Sequence, residues 1–60
     1  MKPLELLQQE LDSLLRTRQK SSDALLEGKI NIELHEQHIR NLTPMIEEYQ
    51  YVIRVITRYA

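Results

Sequence analysis

INIELHEQHIRNLTPMIEEYQYVIRVITRYA, residues 30–60, is the stretch that decides the fold. Read at about 100° per residue, Leu34, His35, His38, Ile39, Leu42, Met45, Ile46, Tyr49, Val52, Ile53 and Ile56 fall on one stripe. An apolar stripe of that width belongs to a helix lying against another helix. Asn31 precedes the first periodic residues as an N-cap, and Glu33 suits the positive end of the helix dipole. Towards the other end the arc widens, because Tyr51, Val55 and Tyr59 extend well past the stripe. One neighbouring helix cannot cover so wide an arc. Tyr49, Tyr51, Val52, Val55, Ile56 and Tyr59 are therefore the candidate interface with a further neighbour. Arg54 and Arg58 lie near the negative helix end, where cations are favourable.

Pro44 interrupts this stretch and leaves two outcomes. In one, Thr43 caps a new helix, with Pro44 in its first turn and Glu47 and Glu48 close behind. In the other, a single helix is kinked at the proline. The apolar register runs from Leu34 to Ile56 without a phase jump, which favours the kink.

The first half supplies the helix to pack against. Pro3 suits a first helical turn, and Leu4, Leu7, Leu11, Leu14 and Leu15 share a face that Leu25 and Leu26 rejoin. Gly28, the sole glycine, stands where a left-handed residue ends a helix. The expected elements are a helix over about 3–27, a turn over 28–31 and a helix over about 32–59. So short a turn makes the helices antiparallel, with residue i facing roughly residue 60 minus i. Residues 16–23 are all polar and leave a hole in the leucine stripe, where Arg18 and Ser22 take positions that leucine would fill. In the folded register this hole falls opposite His35, His38 and Leu42. Two polar interruptions at one level point to a polar layer, with the histidines hydrogen-bonded to Ser21 and Ser22. Charges agree with the register: Glu5, Glu10 and Asp12 lie level with Arg54 and Arg58, and Arg16, Arg18 and Lys20 lie near Glu36, Glu47 and Glu48.

Chemistry beyond packing has few candidates. His35-Glu36-Gln37-His38 spaces its histidines three apart, so the zincin motif, which needs four, is absent, and no metal or cofactor is expected. Arg18, Ser22, His35, His38 and Arg40 could present donors to a small anion such as a nucleotide. Arg16, Arg18 and Lys20 form a short basic run, but without aromatics to stack on bases they make a weak nucleic-acid surface. No nucleophile–base pair, glycine-rich loop or acidic pair is present, so no enzymatic activity is expected.

Composition bounds the rest. Sixty residues make one domain at most, and a chain so short is marginal as a monomer. With no cysteine it has no disulfide or thiolate metal site to stiffen it, which leaves oligomerisation. The net charge is −1, no apolar run could cross a membrane, and no signal-peptide pattern opens the chain, so a cytoplasmic location is expected. No motif is specific enough to name a family. The reading is an all-α antiparallel two-helix hairpin over 1–60, its second helix kinked or broken near Pro44, assembling into a helical bundle for which a homodimer is the simplest form. The expected function is protein–protein interaction, as an adaptor, inhibitor or assembly factor. Binding of a small anionic ligand is the alternative, and nucleic-acid binding a weaker one.

Overall fold

The computed structural model describes residues 2–59; Met1 and Ala60, counted above within the single domain, lie outside the described residues. Two helices account for nearly all of them, α1 over Pro3–Leu26 and α2 over Ile32–Tyr59, with no strand among the described residues. Each boundary has a local chemical cause. Lys2 is extended (φ −72, ψ 145), and its carbonyl accepts from the Leu6 N–H at 3.1 Å. Pro3 follows in the first turn, where a missing N–H costs nothing.

At the other end of α1, Gly28 takes φ 75, in the left-handed region. Its N–H donates to the Leu25 carbonyl at 3.1 Å, and the Lys29 N–H reaches back to the Ala24 carbonyl at 2.9 Å. That crossed pair is a Schellman motif, and it satisfies carbonyls the helix would otherwise leave bare. Three residues later Asn31 caps α2: its side-chain Oδ1 accepts from the Leu34 N–H at 2.8 Å, and its backbone carbonyl accepts from the His35 N–H at 3.1 Å.

Helix α2 runs unbroken through Pro44. Thr43 does not cap a new helix; its Oγ1 donates back to the Ile39 carbonyl at 2.7 Å, a bond made within a continuing helix. Leu42 and Ile46, on either side of the proline, are the buried apolar residues of the hairpin, at 8% and 3% exposure. Burying both requires the helical phase to carry across Pro44, whose own side faces solvent.

The helices pack antiparallel. Ser21, near the turn, meets His35 and His38, while Leu7, far from the turn, shares a cleft with Tyr49 and Val52. This lies within about a turn of the register read from the sequence. The result is a rod of 44 × 19 × 12 Å with a radius of gyration of 13.9 Å. A compact chain of this length would have about 10 Å. The core is correspondingly thin: Leu4, Leu7, Leu11, Leu14, Leu15, Ile39, Tyr49, Ile53 and Ile56 are half-buried rather than buried.

Among the described residues the ion pair that forms is Lys29–Glu27, at 2.9 Å beside the turn, and none joins the two helices. Charged side chains on the outer flanks of a thin rod stay solvated, because a surface pair gains only about 0.2–1 kcal/mol.

Candidate functional site

The polar layer predicted from the two interruptions is centred on one serine. Ser21 is 6% exposed, and its Oγ lies 3.0 Å from His35 Nδ1 and 3.0 Å from His38 Nδ1. The placement follows from local geometry. His35 and His38 are three apart on α2, so they project from adjacent turns on the same side. Ser21 presents a short polar side chain at that level of α1, and both rings converge on its single oxygen.

A hydroxyl has one proton and two lone pairs. With both rings neutral, one arrangement that uses both contacts has Ser21 donating to one Nδ1 and accepting from the other, which would put opposite tautomers on His35 and His38. No buried side-chain polar atom among the described residues is left without a partner. The layer is thus a closed hydrogen-bond network between the helices, which ties their rotational setting to one level.

The other candidate residues are placed differently. Ser22, taken from the stripe as a site residue, is half-buried, and its hydroxyl donates to the Arg18 carbonyl at 3.3 Å rather than to a histidine. Arg18 and Arg40 are exposed. Arg40 lines a shallow groove on α2 with Ile32, His35, Glu36 and Ile39, so it shares a surface with His35 but also with a carboxylate. Ser21 is the residue the wheel undervalued. The signal for it was the matching level of two short polar stretches rather than its position on the stripe.

Among the described residues, no group of three or more His, Cys, Asp or Glu side chains is placed to hold a metal ion. No helix there is long and apolar enough to cross a membrane.

Apart from the layer, Leu6, Leu26, Ile32, Leu34, Met45, Tyr51, Val52 and Tyr59 are large apolar side chains left open to solvent, Leu26 and Tyr59 at 85% and 80%. Of the six candidate interface residues, Tyr51, Val52 and Tyr59 are exposed, and Tyr49, Val55 and Ile56 are half-buried.

The fold and site define a class: an all-α helical hairpin, its helices keyed together by a serine–histidine layer, with several large apolar side chains left open to solvent. Comparison with known proteins finds no matching family model, no similar curated protein and no similar solved structure.

Proposed function

We propose that the chain is a self-associating protein–protein interaction module, an adaptor, inhibitor or assembly factor that acts by covering a surface and carries no catalytic activity. One observation carries the reading. The hairpin exposes 4946 Å². A folded monomer of 7.2 kDa exposes about 4,100 Å². The excess, about 800 Å², is what one partner contributes to an interface of standard size. Among the described residues, eight large apolar side chains are open to solvent and available for such a contact.

In the assembly, the serine–histidine layer sets register rather than chemistry, as isolated polar groups do in coiled coils. We infer also that α2 bends at Pro44. The proline has no N–H to offer the Arg40 carbonyl, and the Thr43 hydroxyl competes for the carbonyl of Ile39. Such a bend wraps α2 along its neighbours. A cysteine-free chain is suited to the cytoplasm, where we place its action.

Sedimentation equilibrium from 1 to about 100 µM tests assembly in the usual affinity range. A multiple of 7.2 kDa is expected, and a 7.2 kDa species throughout would overturn the reading.

A second reading is supported by the groove that His35 and Arg40 share: binding of a small anion at the edge of the layer. Glu36 in the same wall weighs against it. Calorimetry with nucleotides and inorganic phosphate separates the two readings, since only this one expects heat.

A further inference from the structure

We infer that the contact face is a narrow seam along one side of α2, formed by Leu34, Met45, Val52 and Tyr59, and that its occupant is the same seam on a second copy of this chain. The inference rests on the self-association proposed above and specifies its surface. These four side chains are exposed by 39, 41, 37 and 80%. Met45, Val52 and Tyr59 are seven apart, and Leu34 precedes Met45 by eleven. Both spacings return to nearly the same angle on a helix, so all four fall within an arc of about 40°. That arc lies about 100° round the helix from Leu42 and Ile46, which face α1. Half-buried Tyr49 and Ile56 lie between the two directions. One α2 thus presents two apolar directions, one buried within the hairpin and one only partly covered by it.

Seven-residue spacing returns side chains to nearly one line along a helix, the geometry that a side-by-side contact uses. Beside it, Leu7, Glu48, Tyr49 and Val52 line a cleft of about 260 Å³, a hole for a large side chain such as Met45 or Tyr59 of the second copy. The occupant follows from symmetry and charge. A two-fold contact sets the same patch of both copies against each other, so each seam meets its own counterpart and the cleft beside it. The strip bears no lysine, arginine or aspartate, Glu48 stands at its rim, and the chain carries a net charge of only −1. Self-pairing therefore opposes no like charges in the seam. Tyr51 is 65% exposed but lies about 160° from the core direction, off the seam, so the contact does not include it.

Sedimentation equilibrium on the full chain and on Val52→Glu and Tyr51→Glu tests this, with helical content followed by circular dichroism. The expected result is a dimer for the native chain and for Y51E, and a helical 7.2 kDa species for V52E. If Y51E dissociates and V52E does not, the seam is wrong while assembly stands. If the native chain is monomeric, both readings fall. An assembly larger than two copies overturns the two-fold pairing. Where V52E loses its helices, Val52→Ser and Met45→Ser replace it. Each is expected to weaken the dimer about tenfold or more, since each removes apolar area from both copies. An unchanged dissociation constant overturns the seam.

Discussion

Replacing Ser21 by alanine removes the one atom that both histidines share. Two side-chain hydrogen bonds at 3.0 Å are lost, each contributing about 1 kcal/mol net. The rings are half-buried, so water can re-solvate part of what is exposed, and the full penalty for a buried orphan does not apply. Alanine is also the better helix former, by roughly 0.5 kcal/mol. The expected net loss is about 1–1.5 kcal/mol. For a domain of this size that lowers the melting temperature by roughly 5–10 °C. Circular dichroism at a fixed chain concentration reads it; concentration must be held because assembly couples to melting. The informative comparison is the triple variant Ser21→Ala, His35→Leu, His38→Leu. It removes every member of the network, leaves no polar group unpaired, and should be neutral or stabilising. Nitrogen-15 spectra of the histidine rings supply a readout independent of stability. At a pH where both are neutral, one ring should carry its proton on Nδ1 and the other on Nε2, and Ser21→Ala should remove that pairing. Two rings in the same tautomer, or a triple variant that melts well below the single one, would refute the reasoning.

Three further outcomes are expected. Ile46→Ala, at the most deeply buried apolar position among the described residues, should cost about 2–5 kcal/mol and leave the chain largely unfolded by circular dichroism, because few other contacts compensate. A Cβ on Gly28 meets nothing within 4 Å, so Gly28→Ala tests backbone strain alone: a loss of about 1–2 kcal/mol is expected in urea titrations, and a smaller one for Gly28→Asn. Pro44→Ala restores an N–H for the Arg40 carbonyl and should raise the melting temperature, by as much as about 3 kcal/mol of helix propensity allows. A fall instead would mean that the proline is needed for the shape of α2.

The helices and their ends were legible in the chain itself. The expected spans of about 3–27 and 32–59 compare with Pro3–Leu26 and Ile32–Tyr59. Pro3, Gly28 and Asn31 act through their own backbone geometry and hydrogen bonds to residues a few positions away, so they work the same way wherever the helix later packs. The unbroken register across Pro44 was likewise visible, because periodicity is a property of one helix.

The tertiary structure decided which atoms meet. Ser21 and Ser22 differ by about 100° on α1, and the stripe alone favoured Ser22. Only docking against α2 fixes the rotation of α1 about its axis, and it sets Ser21 between the two rings while Ser22 turns back to its own helix. The missing ion pairs between helices have the same origin: level along the axis is written in the sequence, but the sideways distance between flanks depends on how two cylinders touch. The thinness of the core is also a tertiary result. A helical wheel counts apolar residues, whereas two helices in contact can enclose only the line along which they meet. Among the described residues that line encloses Leu42 and Ile46 and leaves the other large apolar side chains partly or wholly in water.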